Sequence, residues 1–332
     1  MATRIAINGF GRIGRVIPRI ANGDDSIDIV AINDLYPIED LAYLLKYDTS
    51  QGIFDEDIRV KGDYLIIGDR KIKVLAERNP EDLPWKELGV EVVAECTGIF
   101  RDRDGAAKHL EAGARKVLIS APAKNPDGTF VLGVNADQYD KEKHNIISIG
   151  SCTTNCLAPV VKNLEDNFGI EKGFLTTIHA YTMDQSILDS PHKKDPRRGR
   201  TAANNIVPTS TGAAKAIGLV IPEMVGRLDG IAVRVPVPVG SVVDLVVNLK
   251  QKTTAEQINK VMKNSANNKM KDIFQYTEDP IVSSDIIGNP HSSIFDGDST
   301  MMLGENMVKV LAWYDNEFGF SNRMVDMLKM ML

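Results

Sequence analysis

"NGFGRIG", Asn8–Gly14, sets Gly9, Gly11 and Gly14 in the G-x-G-x-x-G spacing. The run leading into it, "TRIAING" (Thr3–Gly9), reads as a strand ending in glycine, and "GRIGRVIPRIAN" reads as a helix. "DIVAIND" (Asp28–Asp34) reads as a second strand, with Asp34 ending it 20 residues after Gly14. Each glycine answers a separate physical need. The first permits a tight turn, the second lets backbone approach a pyrophosphate, and the third lets helix and strand pack closely, while the helix N-terminus attracts the anion. Asp34 is placed to accept hydrogen bonds from ribose hydroxyls, and its charge disfavours a 2′-phosphate. A lone glycine motif is an ordinary turn. With strand, helix and acidic residue all in position, the pattern predicts a dinucleotide cradle. Pro18 lies past the first turn of that helix, where the lost donor predicts a kink.

Outward from the loop, "VEVVAECTG", "RKVLIS" and "NIISIG" are continuous Val/Ile-rich runs, and the helical stretch "GAAKHLEAGA" lies between two of them. Such runs suit parallel strands buried on both faces, so the first 150 residues read as an α/β sheet covered by helices. After that the texture changes. "FLTTIHAYT" and "IAVRVPVPVGSVVDLVVNLK" show partial period-two alternation, which suits an antiparallel or mixed sheet in an α+β unit. The chain closes with "VKVLAWYD", a turn at "NEFGFSN" and a helical end "RMVDMLKMML". A length of 332 residues predicts about two domains.

Lys+Arg total 39 against 45 Asp+Glu, a net charge of -6, which argues against bulk affinity for nucleic acid or anionic membrane. The N-terminus lacks a signal pattern, and no apolar run approaches the ~20 residues of a membrane span. With only Cys96, Cys152 and Cys156, a disulfide framework is implausible and a reducing cytoplasm suits the chain best.

"SCTTNC", Ser151–Cys156, follows a buried-type strand and opens the amphipathic run "LAPVVKNLEDNFG". A zinc site needs about four ligands, and neither a second cysteine pair nor a His-x-x-x-His completes one. The spacing is also wrong for a C-x-x-C redox pair. Two buried structural cysteines remain the ordinary alternative. Cys152 falls in the first helical turn, where unpaired N–H groups and the helix dipole favour a thiolate; Cys156 lies one turn deeper. Of the five histidines, His109 and His144 read as solvated, and His192 lies in a charged loop. His179, alone within "FLTTIHAYT", is the best available base for a thiol.

At this point the motifs become specific. "INGFGRIGR", "SCTTNCLAP", "TTIHAYT", "PTSTGAAKA", "RVPVP", "SVVDL" and "WYDNEFGFSNR" resemble the phosphorylating glyceraldehyde-3-phosphate dehydrogenases over essentially the whole chain. The resemblance implies a Rossmann NAD-binding domain over residues 1–151, completed by the C-terminal helix 316–332, a catalytic α+β domain with a mixed sheet over 152–315, and a homotetramer. It makes Cys152 the nucleophile toward glyceraldehyde 3-phosphate and His179 its partner. Thr182 and Arg234 would hold the substrate phosphate; Ser151, Thr153, Thr211, Gly212 and Arg198 would hold the attacking inorganic phosphate. Gly9, Gly11, Arg12, Ile13, Gly14, Asp34, Arg78, Thr97, Ser120 and Asn316 match cofactor contacts. The basic stretch His192–Arg200 would line a neighbouring subunit's cofactor site.

Two rivals stand beside that reading. Erythrose-4-phosphate dehydrogenases share the Cys–His pair, and "NPHSSIFDG" has their flavour, but they depart from the "TSTGAAKA" loop that is intact here. A nucleic-acid-binding or regulatory protein on a dehydrogenase scaffold is disfavoured by the acidic charge and the complete catalytic set. Met183, Phe320 and Ser190-Pro191 depart from the family pattern and bear on substrate and cofactor preference.

Overall fold

The computed structural model describes residues 2–332. Strand formation begins where the Val/Ile runs do: β1 (Thr3–Asn8) and β2 (Ile27–Asn33) flank helix α1 (Arg12–Ile20), and α2 (Ile38–Lys46) follows. A short hairpin of two-residue strands, β3 (Tyr47–Asp48) and β4 (Gly52–Ile53), leads to a meander of β5 (Ile58–Lys61), β6 (Tyr64–Ile67) and β7 (Arg70–Leu75). Then come β8 (Val92–Glu95), α3 (Arg103–Glu111), β9 (Lys116–Ile119), β10 (Gly128–Thr129) and β11 (Ile146–Ser148). They form a nine-stranded sheet in the order β10-β11-β9-β8-β1-β2-β7-β6-β5. From β10 to β7 every pairing is parallel, and β6 and β5 turn antiparallel at one edge. Every residue of β8, β9 and β11 is buried, as parallel strands covered on both faces require.

Helix α1 continues through Pro18, which is buried. Helix α3 starts where Asp102 accepts a hydrogen bond from the Gly105 N–H at 2.8 Å, and its Ala106 packs with Val117, Ile119 and Ile146.

The second sheet has seven strands in the order β13-β14-β12-β15-β18-β17-β16. These are β12 (Ile170–Ala180), β13 (Val207–Ser210), β14 (Leu228–Val235), β15 (Ser241–Leu249), β16 (Phe274–Thr277), β17 (Ser293–Leu303) and β18 (Met307–Tyr314). Strand β12 runs parallel to β14 and antiparallel to β15, which makes the sheet mixed. Burial alternates along β18, so one face is covered. The cover is α4 (Cys152–Phe168), α5 (Ala213–Val220) and α6 (Ala255–Asn267). Leu157, Val160, Val161 and Leu164 of α4 share one core with Leu245, Val247 and Val310 of the sheet. Helix α7 (Phe318–Met330) ends the chain.

By contacts the chain divides into two units. One comprises residues 1–130, 137–150 and 321–332, the other residues 131–136 and 151–320. No helix among the described residues is long and apolar enough to cross a membrane.

Candidate active site and cofactor cradle

In the first unit the glycine loop behaves as its spacing demands. Gly9 has φ +92°, and a Cβ there would lie 2.6 Å from the Thr97 nitrogen. A Cβ on Gly14 would lie 2.0 Å from the Gly9 carbonyl oxygen, so no side chain fits at either position. Gly11, the N-cap of α1, opens on free space. The Asp34 carboxylate accepts from the Phe10 N–H at 2.7 Å and the Tyr36 N–H at 3.2 Å, tying the end of β2 to the loop. Arg12 forms a two-pronged pair with Asp48, one contact at 3.1 Å. Burial alone would raise Asp48, but hydrogen bonds from Arg12 and from the Gln51 and Ser50 N–H groups hold it below the usual range. Arg78 is exposed, while Ile13, Thr97 and Ser120 are half-buried. This cradle, with no room for a Cβ at the turn or at the helix–strand contact and open space at Gly11, where backbone would approach a ligand, fits a dinucleotide.

In the second unit Ser151 caps α4, its hydroxyl accepting from the Thr154 N–H at 3.1 Å, so Cys152 is the first helical residue. Its Sγ lies 3.4 Å from His179 Nε2. His179 is buried near the end of β12, in register with Arg234 of the neighbouring β14. Arg234 Nη1 lies 2.6 Å from His179 Nδ1 and donates to the Ala180 carbonyl at 2.9 Å. The same Nδ1 lies 2.7 Å from that carbonyl. A protonated Nδ1 satisfies the carbonyl and confronts the guanidinium; a bare Nδ1 accepts from Arg234 and faces the carbonyl lone pair. Neither tautomer satisfies every contact.

Burial, reinforced by the Arg234 charge, pushes His179 down to about 3, so its imidazole is neutral at pH 7. Burial also raises the Cys152 thiol, while Arg234 and the Thr153 N–H pull it back. The helix start was expected to lower this thiol; the surrounding protein outweighs that pull. Cys156 is fully buried with Sγ 3.5 Å from the Ala312 carbonyl, and burial raises it further still. Burial and the nearby Glu95 push Cys96 up to about 12.

Tyr314 is a residue that sequence reasoning did not single out. Its hydroxyl meets Thr153 Oγ1 at 2.9 Å and Thr177 Oγ1 at 2.8 Å, and its ring stands edge-on to His179 with centroids 5.8 Å apart. The proposed phosphate residues fall on the same unit. Thr211 Oγ1 accepts from the Ala213 N–H at 3.2 Å at the start of α5, and Gly212 leaves the space before it open. Arg198 Nε donates to Thr209 Oγ1 at 2.8 Å, and its Nη1 pairs with Asp184, a second residue the sequence did not mark. Arg234 lies within the fields of Arg198 and Asp184. Thr182 is half-buried beyond β12, and its carbonyl accepts from the Gln185 N–H at 2.9 Å. Asn316 is buried, its Oδ1 accepting from Gly240 N–H at 3.1 Å and Ser241 Oγ at 3.0 Å.

Residues 3–103 match the NAD binding domain of glyceraldehyde 3-phosphate dehydrogenase, and residues 151–316 match its C-terminal domain. The chain belongs to the glyceraldehyde 3-phosphate dehydrogenase family. It is 52% identical over 329 residues to glyceraldehyde-3-phosphate dehydrogenase 2 of Bacillus subtilis, covering 99% of this chain and 96% of the relative. Identity to the glyceraldehyde-3-phosphate dehydrogenase of Geobacillus stearothermophilus is 54% over 327 residues, 98% and 97% of the two chains. The Streptomyces coelicolor glyceraldehyde-3-phosphate dehydrogenase is 55% identical over 330 residues, 98% of each. The buried position of His109 is a correction to the solvated role read from its helix. It is fully buried beside Glu95 and Trp85.

Proposed function

We propose that the chain oxidises glyceraldehyde 3-phosphate to 1,3-bisphosphoglycerate with NAD and inorganic phosphate. The observation that carries the reading is the part-buried contact between Cys152 Sγ and His179 Nε2, backed by Arg234. Cys152 Sγ attacks the aldehyde carbon, and the thiol proton is relayed through His179 to the new hydroxyl, giving a thiohemiacetal. His179 then takes the hydroxyl proton as the C–H bond breaks. Bound in the glycine-loop cradle, NAD would supply the hydride acceptor, and loss of the hydride leaves the carbon on Cys152 as a thioester. Phosphate oxygen attacks that carbon, the C–S bond breaks, and Cys152 leaves as thiolate to be reprotonated.

The two guanidiniums, Arg234 and Arg198, support two anion positions beside the thiol: Thr182 with Arg234 for the substrate phosphate, and Ser151, Thr153, Thr211, Gly212 and Arg198 for the attacking one. Phosphate must displace Asp184 from Arg198. In this reading Gly9, Gly11, Arg12, Ile13, Gly14, Asp34, Arg78, Thr97 and Ser120 hold the cofactor, and Asn316 orients the nicotinamide amide.

The assembly is a homotetramer. Support comes from the bare apolar side chains on the second sheet: Phe174, Ile231 and Leu303 are 71%, 48% and 71% exposed in the single chain. Three free thiols suit the cytoplasm.

The test is NAD⁺ reduction with glyceraldehyde 3-phosphate, with and without inorganic phosphate, and with erythrose 4-phosphate alongside. Steady turnover requires phosphate, and arsenate substitutes for it. Equal turnover without phosphate, or preference for erythrose 4-phosphate, contradicts the reading.

A further inference from the structure

Three neighbouring parallel strands of the first sheet end in buried polar side chains: Asn8 of β1, Asn33 of β2 and Glu95 of β8. They stand in register, Asn8 opposite both Asn33 and Glu95. Glu95 Oε2 accepts from Asn8 Nδ2 at 2.6 Å and from His109 Nε2 at 3.0 Å. Glu95 Oε1 accepts from the Thr97 N–H at 2.8 Å and from the Thr97 hydroxyl. A carboxylate has about four lone-pair sites, and four donors meet this one. Trp85 Nε1 donates to His109 Nδ1 at 3.0 Å. An indole only donates, so Nδ1 must accept and the histidine proton sits on Nε2, aimed at Glu95. On the other side Asn33 Nδ2 donates to Asn8 Oδ1 at 2.7 Å. Asn33 also grips the Glu77 backbone at both polar atoms, 2.9 and 2.8 Å.

Each member holds a loop that leaves the carboxyl end of the sheet, where ligands of parallel α/β sheets bind. Asn8 precedes Gly9, Asn33 precedes Asp34, Glu95 clamps Thr97, and Glu77 precedes Arg78. Gly9 in turn rests directly on Thr97. Sheet stability alone does not call for such a network, because replacing buried charged groups by packed apolar ones is often neutral or stabilising. We propose that Asn8, Asn33, Glu95 and His109 are positioning residues for the dinucleotide. Together they set the mutual spacing of the glycine turn, Asp34, Arg78 and Thr97, and through it the cofactor affinity. The proposal rests on the reading of the first unit as an NAD site.

The experiment measures the NAD⁺ dissociation constant by calorimetry, with thermal unfolding and the rate of Cys152 alkylation recorded on the same samples. In Glu95→Gln one oxygen becomes a donor facing donors. The dissociation constant then rises about tenfold or more, while alkylation of Cys152 without NAD⁺ proceeds as in the wild type. His109→Leu removes the ring's polar contacts to Trp85, Glu95 and Asn8 and weakens binding severalfold. His109→Gln, whose amide can donate and accept, recovers most of the loss. Folded Glu95→Gln and His109→Leu proteins that bind NAD⁺ as tightly as the wild type overturn the proposal. So does a loss that His109→Gln does not recover. If Glu95→Gln fails to fold, the two His109 variants decide alone. A wild-type protein that binds no NAD⁺ overturns the underlying reading instead.

Discussion

Two buried histidines, one in each unit, are held in opposite ways. His109 receives the Trp85 indole N–H on Nδ1 and donates from Nε2 to Glu95, so a single tautomer satisfies both of these contacts, and only the longer 3.3 Å approach of Asn8 Nδ2 to Nε2 goes unmet. His179 has a guanidinium and a carbonyl competing for Nδ1 and a thiol at Nε2, and no tautomer satisfies all three. Burial is the same for both; the partners differ. A buried histidine whose tautomer is fixed by its two nearest partners is a brace. One left between alternatives next to a nucleophile is equipped to exchange protons.

The comparison breaks most severely at the thiol. Cys152→Ser retains the fold and cofactor binding but loses activity on the order of 10⁴-fold or more, measured as steady-state NAD⁺ reduction. His179→Asn lowers kcat by about 10²–10⁴-fold, the usual share of a general acid–base, and leaves the NAD⁺ dissociation constant in place. His109→Leu does the reverse, weakening NAD⁺ binding and sparing the alkylation rate of Cys152. A His109 variant with slow alkylation, or a His179 variant with weak NAD⁺ binding, would erase the distinction.

Asp34→Ala gives a smaller effect, narrowing the preference for NAD⁺ over NADP⁺ by about tenfold through lost repulsion of the 2′-phosphate. Comparable kcat/KM for both cofactors in the unmodified protein would show that other residues, Ser190 among them, override Asp34.

Acid stability sharpens the His179 side. The folded protein keeps this ring neutral down to about 3, whereas the unfolded chain protonates it near 6.5. Below 6.5 the unfolded state therefore binds more protons, so the contribution is intact above that pH and is lost as pH falls toward 3. His179→Asn should lose less stability than the wild type between pH 7.5 and 4.5, read from urea midpoints. An equal loss would place the acid sensitivity elsewhere. The smallest effect belongs to Cys156→Ser, which keeps activity and costs about 1–2 kcal/mol for a buried hydroxyl.

The parts legible in the sequence are those fixed by local backbone demands. The glycine spacing, the acidic end of β2 and a cysteine at a strand-to-helix junction each follow from neighbours within one or two elements. The remainder depends on partners far away in sequence. His109 lies next to Lys108 and two residues before Glu111, which reads as a solvated helix face, yet its partners Glu95 and Trp85 are 14 and 24 residues away. Tyr314 reaches Thr153 from 161 residues away, and no local pattern marks it. Arg12 and Arg198 were legible as cations, but their carboxylate partners Asp48 and Asp184 emerge only with the fold. The Cys152 thiol was expected to be lowered by its helix start, and only packing reveals the stronger effect of burial.

The most direct test of the account is the site and rate of alkylation by limiting iodoacetamide, with peptides mapped by mass spectrometry in wild type and His179→Asn. Label should fall on Cys152, with Cys156 and Cys96 unmodified, and the same labelling should be markedly slower in His179→Asn at pH 7. Preferential labelling of Cys156 or Cys96, or an unchanged Cys152 rate without His179, would contradict the pairing of Cys152 with His179 as the reacting centre.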